Sequence, residues 1–332
     1  MVPALAVAGE LQADVTFVGG ERAERELVPA AGYAFEVLDV AGLDRRNPFK
    51  AALAALKAVR ALGRSLRLLR RLRPDVVLGG GGYVAGPVGL AAVLLRIPLV
   101  LTEADSHLGL TNRVLAPFAR RVCLAFPLPG RTGSRYRVTG RPVPPPFTDR
   151  DAARAQFGIA GDESCVLVFG GSLGARSVNF AAEEAFRDAP FRVLHASGLR
   201  DYAGLRPLPA AAPRCALRQC VAAFGPALAA ADLVVARAGG SIFEVASHAA
   251  PAVLVPYPHA SADHQTANAR WMADGGAAIV IADRDLSPER LAHEVGALLA
   301  DPSRLAQMAR ASAALARPDA AAEIAGELRA AA

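Results

Sequence analysis

The residues best suited to chemistry lie between Asp232 and Asn268. Leu233–Ala236 is a short apolar run bounded by turn residues, the pattern of a buried parallel strand. Gly239, Gly240 and Ser241 break it, and Glu244 follows three residues after Ser241. A glycine turn opening a helix presents unpaired N–H groups and the positive end of the helix dipole, which suits a phosphate. The Ser241–Glu244 spacing is also that of a capping box, so the same residues serve equally as an ordinary strand-to-helix turn. A second strand, Ala252–Pro256, ends in Pro256-Tyr257-Pro258, and Asp263-His264-Gln265 then opens another helix. Polar residues just past the C-terminal ends of parallel strands are where open α/β sheets bind ligands.

Four further stretches share this arrangement. Cys165–Phe169 reads as a strand running into Gly170-Gly171-Ser172-Leu173-Gly174-Ala175-Arg176-Ser177-Val178-Asn179, the strand, glycine turn and helix of a phosphate cradle without the ending of a Walker A loop. Arg192–Ala196 reads as a strand ending at Ser197-Gly198. In the first half, Val76–Leu78 leads into Gly79-Gly80-Gly81-Gly82-Tyr83, and Leu99–Thr102 ends in Glu103-Ala104-Asp105-Ser106-His107. Those ionisable side chains are site candidates; Asp105 or Ser106 serves equally as the cap of the next helix. His259, Asp263 and His264 cluster, but their spacing matches no helical ligand pair, and no metal site is expected. There is no recognisable nucleic-acid-binding module.

The elements that must position these loops alternate strand and helix, which points to parallel α/β sheets. A helix opens the chain at Met1–Ala6, with Pro3 early in it; Val15–Val18 and Phe35–Val40 are strands around a charged helix at 21–31. A sheet of this kind that begins with a bare helix looks as if its first strand were missing. Pro48–Arg73 reads as a long basic amphipathic helix. Leu53, Leu56, Val59, Leu62, Leu66 and Leu69 form one face, and Lys57, Arg60, Arg64, Arg67 and Arg71 another. It is either a surface helix packed on the sheet or a contact for an anionic membrane. Arg141-Pro142-Val143-Pro144-Pro145-Pro146 is stiff and extended and reads as the linker to a second domain of the same style. Two such domains leave a cleft between them, a preferred ligand site. Leu286–Leu299, Pro302–Ala316 and Asp319–Ala331 read as helices.

The 332 residues suffice for two domains, and 53% are hydrophobic. The formal net charge of +6 favours anionic partners. Cys123, Cys165, Cys215 and Cys220 have the spacing of neither a zinc knuckle nor a disulfide framework and read as reduced cytosolic thiols. The uncharged run Val76–Leu95 approaches the length of a membrane span, but Gly79–Gly82 and Pro87 interrupt it.

Taken jointly, Gly170–Arg176 with Asn179, Gly81–Pro87, Arg237–Ser241, and Asp263–Gln265 with Asn268-Ala269 closely resemble the MurG family of peptidoglycan glycosyltransferases. The resemblance runs from Val2 to the C-terminal helix. It implies the GT-B fold, an α/β architecture of two Rossmann-like parallel-sheet domains facing across a cleft. The implied domains are 1–141 for the acceptor and membrane, 142–316 for the donor, and 317–332 as a C-terminal helix returning to the first domain. The implied activity is inverting transfer of N-acetylglucosamine from UDP-N-acetylglucosamine to lipid I, forming lipid II for the cell wall, peripherally at the cytoplasmic face of the cell membrane, with no obligatory metal or other cofactor. Glu244 would hold the ribose hydroxyls, Val221 would lie beside the uracil, and Gly239, Gly240 and Ser241 would meet the diphosphate. Gln265 with His264 would read the sugar hydroxyls, and Ser172 and Ser197 would also lie on the donor. An apolar patch rimmed by basic residues would meet anionic lipid, which favours the membrane reading of helix 48–73.

This sequence departs from the family pattern in places. The family's first strand and its Gly-Gly-Thr-Gly-Gly-His loop would precede Met1, and with them the expected general base; Asp105 and His107 are weak substitutes. The family's His-Glu-Gln-Asn is Thr102-Glu103-Ala104-Asp105, which puts Asp105 at a donor-contacting position. Its Pro-Val-Arg is Pro142-Val143-Pro144, with Arg141 as the neighbouring cation. The segment from Arg237 to Glu244 is one residue shorter than usual. The expectation is donor binding with poor transfer. The alternatives are another GT-B glycolipid glycosyltransferase, such as a diacylglycerol galactosyltransferase, and a nucleotide-sugar-binding protein without catalysis.

Overall fold

The computed structural model describes residues 1–21, 24–38, 48–171, 173–205, 215–218 and 224–332. The chain divides into two compact units, Met1–Val143 with Arg317–Ala332, and Pro144–Ala316.

The first unit opens with α1 (Val2–Gly9), β1 (Thr16–Gly19), α2 (Glu24–Ala30) and β2 (Ala34–Val37). After α3 (Pro48–Leu72) come β3 (Val77–Gly79), α4 (Gly82–Leu94), β4 (Leu99–Glu103), α5 (Leu110–Leu115), β5 (Arg121–Leu124) and β6 (Tyr136–Val138). Every pairing is parallel. Strands β3-β4-β5-β6 form one sheet, and β1-β2 form a separate pair. Val18 and Leu38, at the ends of that pair, nevertheless pack into the core of the larger sheet.

Period-two alternation gives that sheet two buried faces. Leu99, Leu101, Val122 and Leu124 face a core shared with α3, α4 and α5, whereas Val100 and Cys123 face Val7 of α1. Gly89 lets α4 approach closely: a Cβ there would lie 2.5 Å from Leu115. In α3, Ala61 and Leu69 are buried, and Leu62 and Leu66 pack against the same core. Val59 breaks the expected apolar stripe, being 67% exposed. The side chains of Leu53 and Leu56 lie outside the described residues.

The second unit runs α6 (Arg150–Gln156), β7 (Cys165–Phe169), α7 (Arg176–Ala185), β8 (Arg192–Ala196), β9 (Cys215–Arg218), α8 (Phe224–Ala230), β10 (Leu233–Ala236) and α9 (Ile242–Ser247). It continues with β11 (Ala252–Leu254), α10 (His264–Asp274), β12 (Ala278–Val280), α11 (Pro288–Leu299) and α12 (Pro302–Leu315). The sheet order is β12-β11-β10-β7-β8-β9, all parallel. Strands β7, β8 and β9 build outward on one side, and β10 then starts afresh on the other side of β7. The switch point is therefore the crevice between β7 and β10. The middle strands are apolar throughout because helices cover both faces. Local chemistry starts the helices: Asp149, Ser287 and Asp301 each accept a backbone N–H as side-chain caps, and Pro288 and Pro302 open α11 and α12.

The last helix, α13 (Ala320–Ala331), returns to the first unit and packs Ile324, Ala325 and Leu328 against Val7, Val100 and Cys123. Glu327 fastens it to Arg121 at 2.5 Å and Arg137 at 2.8 Å. Burial raises the Glu327 pKa, but the two guanidinium hydrogen bonds outweigh it and hold the carboxyl below the usual range. Among the described residues no helix is long and apolar enough to cross a membrane; Val76–Leu95 is β3 followed by α4. Cys123 and Cys165 are free and buried, with burial pushing both thiols up to about 12.

Candidate functional site

All strands of the six-stranded sheet are parallel, so the loops after β7, β8, β10, β11 and β12 emerge along one edge. The first two are locked together by backbone. Gly174 and Gly198 both have positive φ, at 87° and 81°. A Cβ on Gly174 would lie 2.2 Å from the Ser197 carbonyl oxygen, and one on Gly198 would lie 2.1 Å from Gly174 N. Only glycine fits there.

Asn179, wholly buried in α7, holds the crossing. Its Nδ2 donates to the Ser197 carbonyl at 2.8 Å and to Asp201 at 2.9 Å. Its Oδ1, which can only accept, faces His195 Nε2 at 3.0 Å, so that nitrogen carries the proton. Burial pushes His195 down to about 4, and the ring is neutral at ordinary pH.

The loop after β10 is built on Arg237, which is 8% exposed. Its Nη1 donates to the carbonyls of Val255 at 3.1 Å and Pro256 at 3.0 Å, and pairs with Asp283 at 2.6 Å. Its Nη2 reaches Ser177 Oγ at 2.7 Å, and Ser177 in turn donates to Asp283. The guanidinium also lies 5.5 Å from the centre of the Tyr257 ring. One side chain thus ties together the loops after β10, β11 and β12 and the first turn of α7. Asn268 of α10 donates to the Ala238 carbonyl at 3.0 Å. Among the described residues, the N–H groups of Gly239, Gly240 and Ser241 meet no acceptor. The turn therefore presents donors, held from behind through its carbonyls, which is the electrostatic form of an anion cradle.

The candidates fall as follows. Ser241 has φ −65° and ψ −13° and makes no capping bond. The capping-box reading is thereby corrected: a cap side chain reaches the third N–H from extended backbone, and Ser241 is already helical. Glu244 is half-buried in the first turn of α9. Gln265 accepts from Tyr257 N at 3.0 Å through Oε1, which turns its Nε2 to within 3.9 Å of the Cβ position of Gly239. His264 bonds to the Ser261 carbonyl at 2.8 Å. Just before it, Ala262 and Asp263 both take left-handed φ near 51° and 52°, a strained pair of non-glycine residues beside the site. Ser197 is wholly buried, with its hydroxyl on the Gly198 carbonyl at 3.4 Å. Ser172 and Val221 lie outside the described residues.

In the first unit the turn after β4 is organised by Glu103, 8% exposed. Its carboxylate accepts from Asp105 N at 3.3 Å, Gly109 N at 2.8 Å and Asn112 Nδ2 at 2.9 Å. The next helix starts only at Leu110, with Gly109 at its N-cap, so neither Asp105 nor Ser106 caps it. Asp105 and His107 are both half-buried in this turn. The backbone bends at Gly81 and Gly82, each with φ 77°, where Thr111 donates to the Gly82 carbonyl at 3.1 Å. Arg141 is half-buried in the first unit, close enough to the Met1 ammonium to lower its pKa, though burial lowers it more. Among the described residues no group of three metal-ligating side chains occurs.

Sequence reasoning missed Arg237 and Asp283 as organisers. The available signal was a cation directly after an all-apolar strand, where a charge must find partners.

Two family models match the chain: the glycosyltransferase family 28 N-terminal domain over residues 1–124 and the C-terminal domain over 165–324. A relative from Moorella thermoacetica is 41% identical, over 96% of this chain and 92% of its own length. One from Desulforudis audaxviator is 42% identical, over 95% and 91%. Both are named UDP-N-acetylglucosamine–N-acetylmuramyl-(pentapeptide) pyrophosphoryl-undecaprenol N-acetylglucosamine transferase. The crystal structure of Acinetobacter baumannii MurG superposes with a TM-score of 0.81 at 31% identity, covering 99% of this chain and 95% of that one. The two-sheet architecture, the glycine loops at the strand ends and these matches agree: the chain belongs to glycosyltransferase family 28, among the MurG transferases.

Proposed function

We propose that this chain carries out the reaction its relatives are named for, moving N-acetylglucosamine from UDP-N-acetylglucosamine onto the N-acetylmuramyl sugar of lipid I. The observation that carries the reading is the donor-lined turn Gly239–Ser241, with Glu244 one helical turn on, beside the β7/β10 switch point. Glu244 accepts from the ribose hydroxyls. The N–H groups of Gly239, Gly240 and Ser241 face the diphosphate. Gln265 and His264 read the sugar hydroxyls, Val221 lies by the uracil, and the loops at Ser172 and Ser197 border the donor. Asp105 and Arg141 complete the assignment from the first unit.

The chemistry is a single inverting displacement. The acceptor hydroxyl attacks sugar C1, the bond to the diphosphate oxygen breaks, and UDP leaves. The hydroxyl proton passes to a base, for which Asp105 and His107 are the candidates. Charge growing on the leaving diphosphate is met by fixed backbone donors, so the mechanism needs no metal.

The unit spanning 1–143 and 317–332 carries the acceptor side and the membrane contact. On α3, Arg60, Arg64, Arg67 and Arg71 are exposed, while Leu62, Leu66 and Leu69 turn inward. Exposed apolar side chains occur at Val59 and Leu72 of α3, at Leu90 and Leu94 of α4, and at Leu110, Val114 and Phe118, with Arg113 and Arg120 also exposed in that last stretch of sequence. An apolar surface rimmed by arginine suits peripheral attachment to anionic lipid at the cytoplasmic face.

Calorimetry with UDP and a lipid I turnover assay test the reading. Glu244→Ala should weaken UDP binding by about tenfold or more, the value of a lost charged hydrogen bond. Unchanged affinity would refute the assignment.

A further inference from the structure

Helix α9, which carries Glu244, has six residues and ends at Ser247, and Ala249 just beyond it takes a left-handed φ of 52°. A helix this short does not hold itself; its orientation comes from what its ends touch. His248 supplies one such contact. Phe147 N, directly after the prolines at 144–146, donates to His248 Nε2 at 3.1 Å. That nitrogen must present its lone pair, so Nδ1 carries the proton, and Nδ1 lies 2.8 Å from the Glu244 carbonyl oxygen. The Ser247 hydroxyl donates to the same carbonyl at 2.9 Å. Gly225 of α8 closes the other side, its Cβ position 3.7 Å from His248 Nε2 and 3.5 Å from the Phe147 Cβ. The imidazole therefore bridges the backbone of a stiff proline segment and the backbone of Glu244 itself.

We propose that His248 is a positioning residue for nucleotide binding, setting the Glu244 turn of α9 by hydrogen-bonding its carbonyl to the anchored backbone at Phe147. The proposal rests on the reading that Glu244 holds the nucleotide. The neutral, Nδ1-protonated ring is the working form, and burial favours it by lowering the His248 pKa.

The test is calorimetry with UDP and steady-state kinetics with UDP-N-acetylglucosamine on the full chain. His248→Ala should raise the UDP Kd and the donor KM about fivefold, the value of a neutral hydrogen bond, with kcat at saturating donor unchanged. His248→Asn, whose amide nitrogen can replace Nδ1, should recover part of the loss. Phe147→Pro removes the N–H donor without touching α9; it should weaken UDP binding, and combined with His248→Ala it should add little further. A UDP Kd within about twofold of the parent in both His248→Ala and Phe147→Pro, or fully additive losses, overturns the proposal. Glu244→Ala separates the two failures. If it leaves UDP affinity unchanged, the donor-site reading fails; if it weakens binding while the His248 and Phe147 variants do not, only the positioning role fails. Should His248→Ala not fold, Phe147→Pro and His248→Asn carry the test.

Discussion

The turn after β10 and the turn after β4, one in each parallel-sheet unit, are held differently. In the unit from Pro144 to Ala316, side-chain donors grip backbone carbonyls: Asn179 on Ser197, Asn268 on Ala238, and Arg237 on Val255 and Pro256. Among the described residues the N–H groups of Gly239, Gly240 and Ser241 stay available, and that turn offers hydrogen-bond donors. In the other unit the turn after β4 is held by an acceptor. Glu103 consumes the N–H groups of Asp105 and Gly109 and places a carboxylate among them. The same strand, turn and helix pattern therefore yields one edge prepared for an anion and one turn whose amides are already taken. What separates the two turns is whether a neighbouring carboxylate takes their N–H groups.

The strongest way to break this contrast is at Arg237. Arg237→Leu leaves Asp283 and two loop carbonyls without their partner and should cost about 4 kcal/mol of stability, read by urea unfolding. Adding Asp283→Leu should recover part of that, since the stranded charge is most of the penalty. If the single variant unfolds like the parent, the hub role fails.

His195 gives a pH signature confined to the same unit. Its folded pKa of about 4 lies below the ordinary histidine value of 6.5, so the unfolded chain binds the extra proton first. The contribution is complete above pH 6.5 and is lost as pH falls toward 4, by about 3 kcal/mol. His195→Gln, which keeps a donor toward Asn179, should flatten that part of the stability–pH curve. A slope unchanged in the variant would assign it elsewhere.

Glu103→Gln sharpens the other side. The amide replaces one acceptor oxygen with a donor facing N–H groups, a loss of about 2 kcal/mol. The same turn carries Asp105, so if Asp105 meets the donor the variant should also raise the donor KM in steady-state kinetics. A donor KM unchanged in the face of the lost stability would separate this turn from the donor.

Much of this was legible without coordinates, for local reasons. Cys165–Phe169, Arg192–Ala196 and Leu233–Ala236 are found where their apolar runs and flanking turns place them, because central strands buried on both faces tolerate little else. The edge strands Cys215–Arg218 and Ala278–Val280 were missed: the first ends in a charge after three residues, whereas the second lies in the apolar run 277–282 between Gly276 and Asp283 and the signal was there. The α3 pattern was half right: Leu62, Leu66 and Leu69 face the core, but Val59 is exposed, since periodicity names a face without saying where along the helix a neighbour ends. At Ser241 the capping-box spacing was real and the cap was not, because one backbone angle decides the bond.

Residue order alone determined the succession of strand, glycine turn and helix, and the residue types at each turn; both follow from short-range sterics and hydrophobic period. Tertiary structure decided which distant groups complete each turn. Arg237 meets positions 177, 255, 256 and 283 only because sheet order brings four loops to one edge. His248 likewise meets Phe147 across a hundred residues of sequence. Such bonds depend on where chain segments come to rest, and no local spacing records that.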